Sequence, residues 1–469
     1  MSKLAPPSTS FKSLFKLAGP IFVANLAIIG GGTIDTIMAG QLGKDHLAAV
    51  ALGLAATICV LMGLVGVLQS LSPIAGHHFG ARQYEKVGEE LQQNLWLAVF
   101  LCLFGVPLLL YTDLWTTMGQ VEGDVARMAS QFLTFTAICL PGSLFGRTFI
   151  SVFAAISRPR VTMWVSLGML ALKAPLNAVF MYGLFGMPAL GGAGSGVSFG
   201  ILSVLSCLLY LIIWMRSPYC KKMHAAKFHW PRWELIKEQL HVGIPIGLST
   251  FFEVSSFTLM AIFISRFGSG TISAHQIVGN LTSMCYMIPL STGIATSVLV
   301  AQCLGSKWPA IAYMVLKRSL MAAVGIAILI VTFLMFARFY VVPLYTADPD
   351  VQKLASTLLI FGCCYHVFDA LQAVSSFALR GYRVTKLPMM IYGVMLWGVG
   401  LGGGYYAAFH AEIFGGPYGV FGFWGCTSLG LIMTGLTLAA MALWVGRQRA
   451  EDDLHTAEEI EAARVVSQA

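Results

Sequence analysis

Twelve apolar stretches follow one another along the chain, each long enough to cross a bilayer as a helix. A helix rises about 1.5 Å per residue and needs roughly 20 mostly apolar residues to span the hydrocarbon layer. Stretches of this kind are placed at 14–39, 47–72, 90–111, 127–151, 161–184, 194–215, 240–265, 274–300, 314–337, 353–378, 388–410 and 419–445. Charged residues make up only 11% of the 469, and hydrophobic residues 57%, whereas an ordinary soluble domain is about 25% charged. A soluble globule cannot bury that much apolar surface. The fold class that follows is all-α and polytopic. The first run is too long for the apolar core of a signal peptide and lacks an A-x-A-like cleavage site, so it is predicted to be a retained helix.

Lys and Arg partition unequally between the two sets of alternating loops. One set holds 22 of the 29 and includes the linker cluster Arg216, Lys221, Lys222, Lys227, Arg232 and Lys237. The other holds five: Lys44, Arg127, Arg266, Arg338 and Lys353. Two more, Arg147 and Lys173, fall inside spans. The positive-inside rule makes the richer side cytoplasmic and puts both termini there. Because these basic residues are spread over short loops, the formal charge of +8 does not read as a nucleic-acid surface.

The chain is predicted to be two copies of one six-span unit. With a shift of 225, Pro20 falls on Pro245, Gly43 on Gly268, Ala49 on Ala274, Ser72 on Ser297, Gly80 on Gly305 and Arg82 on Lys307. RVT at 160–162 matches RVT at 383–385 with a shift of 223, suggesting two residues lost between. An even number of spans per copy makes the repeat parallel, with a pseudo-two-fold axis along the membrane normal. The expected domains are an N-lobe at 1–215, a cytoplasmic linker at 216–239, a C-lobe at 240–445 and a charged, helix-prone tail at 446–469. Two lobes around a central cleft are what such repeats usually build.

Against this apolar background three carboxylates stand out: Asp35, Glu253 and Asp369. An acid in hydrocarbon is costly and usually has a partner or a use. None belongs to the shared scaffold, since the repeat puts Glu253 opposite Ile28 and Asp35 opposite Met260. Residues three and four apart share a helix face. Asp369 thereby shares one with Tyr365, Gln372 and Ser376, and Glu253 with Ser249, Thr250 and Ser256, surfaces that could hold a desolvated cation or a proton. Asp35 has only Gly31, Gly32 and Ala39 on its face, and Lys173 is the available base. The bland alternative for all three is a structural ion pair.

Other features point away from chemistry. No Walker A, HExxH, GxSxG or dinucleotide fingerprint occurs, so neither an enzyme nor ATP coupling is expected. The ten Cys show no CxxC pair and lie mostly in apolar runs, which predicts free thiols. His77 and His78 are expected in a loop at a helix end. Arg147, near a span end, is expected to snorkel or pair. Gly192, Gly196 and Gly200 in GGAGSGVSFG mark a close helix-packing seam.

The strings LAGPIFVANLAIIGGGTIDTIMAGQLGKDHLAAVALG, KAPLNAVFMYGLFGMPALGGAGSGV, GIPIGLSTFFEVSSF, YMIPLSTG, YTADPDV and ALRGYRVTKLPM resemble the multidrug and toxic compound extrusion (MATE) family, in its NorM-like branch. The resemblance covers all but the last twenty or so residues. It implies a C-lobe cation site at Glu253 and Asp369 with Tyr286 as aromatic neighbour, and an N-lobe carboxylate region of Asp35, Pro20 and Asn177. It also implies substrate contacts at Asp348, Tyr365 and Gln276 beside the two C-lobe acids. Where many members carry Asn four residues before Asn177, this chain has Lys173, so an ion pair with Asp35 is expected to displace a cation there. GHHFGARQ also lacks a Gln often found after the second span.

Two functions are weighed. The first is a monomeric antiporter in a bacterial inner membrane, exchanging Na+ or H+ for organic cations such as dyes and cationic antibiotics, with surrounding lipid and no resident cofactor. The alternative is a flippase for lipid-linked oligosaccharides. That would require a basic cavity, for which only Lys173 and Arg147 are candidates.

Overall fold

A computed structural model describes residues 10–119, 121–223, 228–410 and 415–451. Among them twelve helices are long and apolar enough to cross a membrane. In chain order they are α1 (Phe11–Leu42), α2 (Lys44–Gly80), α3 (Tyr84–Leu110), α4 (Gly123–Ala155), α5 (Pro159–Tyr182), α6 (Gly191–Arg216), α7 (Trp233–Phe267), α8 (Ser269–Gly305), α9 (Pro309–Leu344), α10 (Pro349–Gly381), α11 (Lys386–Phe409) and α12 (Gly419–Glu451). Each contains one predicted span, save for two residues of the fifth, one of the third and one of the eleventh. Most run well beyond their spans, because capping at loop residues, not the end of the apolar run, stops a helix. The tail beyond Glu451 lies outside the described residues.

The chain packs as two compact units, Gly19–Gly247 and Leu248 onward, the latter joined by the chain before Gly19. In the first unit α4 is the central helix, more than half buried over its apolar window. In the second unit the equivalent α10 is half buried over its apolar window, with α8 and α12 packed along it. Small residues make this contact close. A Cβ on Gly196 would sit 2.9 Å from the Phe132 carbonyl oxygen, and one on Gly200 would sit 2.6 Å from the Cys139 sulfur. Gly196 and Gly200 of the predicted seam thus form the α6–α4 interface, while Gly192 packs against His46 and Val50 of α2. In α11 the run Gly393–Gly402 forms a π-helix, and its Gly400 backbone lies against Gly430 of α12.

The repeat is written into the backbone. Gly43 and Gly268, 225 residues apart, precede α2 and α8 at φ of 132° and 100°, a region that favours glycine. Four helices end in one motif, with a non-glycine residue in the left-handed region: Arg82 after α2, Ser157 after α4, Lys307 after α8 and Arg383 after α10. In each, that residue's N–H bonds back three residues and the next N–H bonds back five, as in Arg383 to Arg380 and Val384 to Leu379. This is a Schellman cap, and three of the four left-handed residues are basic, which complements the helix C-terminal dipole. The caps also correct the RVT match. Arg160–Thr162 lie inside α5, whereas Arg383–Thr385 precede α11. Ser157 and Arg383 are the true equivalents, so the shift grows to 226 instead of shrinking.

The segment between the halves is held by α3. Trp96 Nε1 donates to the His229 carbonyl at 3.1 Å and Gln92 Oε1 accepts the His229 N–H at 2.6 Å. Gln93 donates to the Trp230 carbonyl and accepts from the Arg232 N–H, acting as a peptide surrogate. Beneath it runs a fully buried chain. Gln239 donates to the Glu90 carboxylate at 2.7 Å, Asn94 donates to Gln239 at 2.9 Å, and the Thr148 hydroxyl donates to Asn94 at 3.0 Å. His77 and His78, expected in a loop, instead form the last turn of α2, where His78 meets Gln83 at 2.9 Å. All ten cysteines are free.

Candidate functional site

The three intramembrane acids have unlike surroundings. Asp35 on α1 is 1% exposed and takes two contacts from α5. Lys173 Nζ lies 2.9 Å from its Oδ1, and Asn177 Nδ2 donates to the same oxygen at 2.7 Å. Lys173 and Asn177 are four apart, hence on one face of α5. Pro20, fifteen residues earlier, sits inside α1 without interrupting it. Opposite charges at this distance in a buried setting cancel locally.

Glu253 on α7 is met by uncharged donors. Its Oε1 accepts the Tyr286 hydroxyl of α8 at 2.8 Å and the Gln372 amide of α10 at 3.2 Å. Asp369, 8% exposed on α10, lies within electrostatic reach of Glu253. No hydrogen-bond donor to its carboxylate is found among the described residues; His366 Nδ1 lies 4.0 Å from Oδ2. His366 is 2% exposed with both ring nitrogens lacking a hydrogen bond. Tyr392 of α11 meets Ser376 and lies within reach of both acids. Tyr365, one turn before Asp369, is buried and stacks on Trp424 at 6.1 Å between ring centroids.

Helix spacing predicts most of this set but misses Arg380, read from sequence as a loop residue. It is 7% exposed inside α10 and within electrostatic reach of Glu253. Eleven residues is three helical turns, so Arg380 returns to the face of Asp369, and that spacing was the available signal. His366 was also missed, although i−3 is a neighbour position. Two expected substrate contacts are placed elsewhere. Gln276 is exposed on α8, next to the buried His275. Asp348 caps α10, accepting from the N–H groups of Asp350 at 2.9 Å and Val351 at 3.4 Å. No hydrogen bond or ion pair joins either to Glu253 or Asp369 among the described residues.

Formal charges count differently in the two units. Asp35 with Lys173 sums to zero. Glu253 and Asp369 with Arg380 sum to minus one when both acids are ionised, which suits one proton or one monovalent cation.

The MatE family model matches twice, at residues 20–179 and 245–406, and the second match begins 225 residues after the first. The chain belongs to the MatE family. Among curated MatE relatives, a probable multidrug resistance protein NorM of Aromatoleum aromaticum is 39% identical, over 92% of this chain and 94% of that protein. Another from Neisseria meningitidis serogroup A is 36% identical over 92% of each chain. The multidrug resistance protein MdtK of Photorhabdus laumondii is 30% identical over 93% and 96%. Among solved structures, a eukaryotic MATE transporter superposes with a TM-score of 0.82 at 22% identity, covering 97% of this chain and 98% of that one. At that identity the likeness establishes the MATE fold of a multi-pass membrane protein.

Proposed function

We propose that this chain is a multidrug efflux antiporter of the bacterial inner membrane, both termini cytoplasmic, that exports organic cations by alternating access in exchange for Na+ or H+. The observation carrying this reading is the C-terminal acid pair: Asp369 buried and Glu253 partly buried, offset by one guanidinium, beside aromatic side chains that can face a flat cation. The coupling ion and the drug compete for the same negative charge, so binding of one releases the other. Curated relatives at 30–39% identity, named as multidrug resistance proteins, support efflux as the activity. A lipid-linked saccharide is disfavoured because Lys173, a candidate base for its phosphates, already faces Asp35.

The test is ethidium transport in proteoliposomes under a Na+ gradient alone and then a pH gradient alone. One of the two is expected to drive export, and Glu253→Gln or Asp369→Asn is expected to lower the rate at least tenfold while the protein still elutes as a folded species. Full export by both variants would remove the acid pair from the mechanism.

A further inference from the structure

Two of the five basic residues on the side poor in Lys and Arg converge on one cavity. Arg338 near the end of α9 and Lys353 at the start of the second turn of α10 line a concavity of about 450 Å³ together with Gln352, Ser356, Thr357 and Phe339. Neither cation has a carboxylate partner among the described residues. The Arg338 Nε is buried with no hydrogen-bond acceptor, while the guanidinium lies 4.6 Å from the Phe339 ring centroid and Nη1 approaches the Met335 sulfur at 3.7 Å. Gln352 and Thr357 already donate to the backbone carbonyls of Thr346 and Lys353. The two cations and the Ser356 hydroxyl therefore remain as donors to an occupant. Asp348, nearby in sequence, has its carboxylate turned to the N–H groups of α10.

Around the cavity, α9 exposes Phe333 at 66%, Phe336 at 76%, Phe339 at 62%, Tyr340 at 79% and Leu344 at 82%. Large apolar side chains this exposed belong against acyl chains, and aromatic residues at a helix end mark the headgroup level. A guanidinium and an ammonium set within such a band complement a phosphate whose tails run down the helix.

We propose that this cavity between α9 and α10 is a binding site for an anionic phospholipid headgroup of the extracytoplasmic leaflet, with Arg338 and Lys353 holding the phosphate. The inference is independent of the export cycle. In detergent, phosphatidylglycerol is expected to raise the melting temperature of the full chain by several degrees, and phosphatidylcholine by much less. Arg338→Gln/Lys353→Gln is expected to abolish the phosphatidylglycerol-specific shift, and Arg338→Lys/Lys353→Arg to keep it. Should the double neutral variant not fold, native mass spectrometry of Lys353→Gln alone, at an exposed position, is expected to show at least a threefold loss of retained phosphatidylglycerol. An undiminished shift or retention in the neutral variants, or equal shifts from both lipids, would overturn the site. An equal shift from glycerol 3-phosphate would overturn the lipid assignment in favour of a soluble phosphate.

Discussion

Glu253 is held by two neutral donors and Asp35 by a charge, and the two arrangements answer differently to mutation. Removing the phenol hydroxyl with Tyr286→Phe leaves Glu253 with the Gln372 amide as donor, at 3.2 Å. A hydrogen bond to a charged group contributes about 1.5–3 kcal/mol. The half-maximal concentration of the coupling ion should therefore move by about tenfold or more while the maximal rate holds, read from transport against ion concentration. Lys173→Met instead strands a buried carboxylate, for which a loss of about 3–5 kcal/mol is expected. Adding Asp35→Asn should restore most of it, and melting of the single and double variants in detergent checks both signs. Of this residue-level picture, the sequence made legible the acids and the partners one helical turn away. It did not show that Arg380 is inside α10, because a basic residue two positions past an apolar run looks like any loop cation.

At the level of elements, helix ends and polar clamps carry information that hydropathy does not. The four Schellman caps stop α2, α4, α8 and α10 at matching places, and they show that the RVT strings, identical in letters, occupy a helix in one copy and a turn in the other. String identity over three residues is weaker than cap geometry, because a cap is defined by its hydrogen bonds. The buried chain Gln239–Glu90 and Gln239–Asn94–Thr148 ties the first turns of α7 to α3 and α4. Gln239→Leu removes the donor to a buried acid, and a loss of about 1–3 kcal/mol is expected. The measurement is thermal unfolding, with Glu90→Gln/Gln239→Leu as the variant that should recover part of the loss.

For the whole molecule, the consequence of duplication is divergence in charge. The two family matches share a scaffold, yet the N-terminal unit neutralises its acid internally and the C-terminal unit keeps a net negative cluster. Coupling is therefore expected to reside in the second unit. Asp35→Asn/Lys173→Met, which removes both members of the neutral pair, should retain at least half of the ethidium export rate in proteoliposomes, whereas Asp369→Asn should not. A double variant as inactive as Asp369→Asn would place an essential step in the first unit as well.

The number of spans, the bias of basic loops and the existence of the repeat can all be read along the chain, because each rests on local properties: apolar length, charge between runs and recurring residues at a fixed shift. Which groups meet is set by how the helices pack in three dimensions. Lys173 lies 138 residues from Asp35, and Gln372 lies 119 residues from Glu253. Pairings at such separations depend on how helices pack around α4 and α10, and packing in a membrane follows side-chain fit, not a hydrophobic pattern readable along the chain.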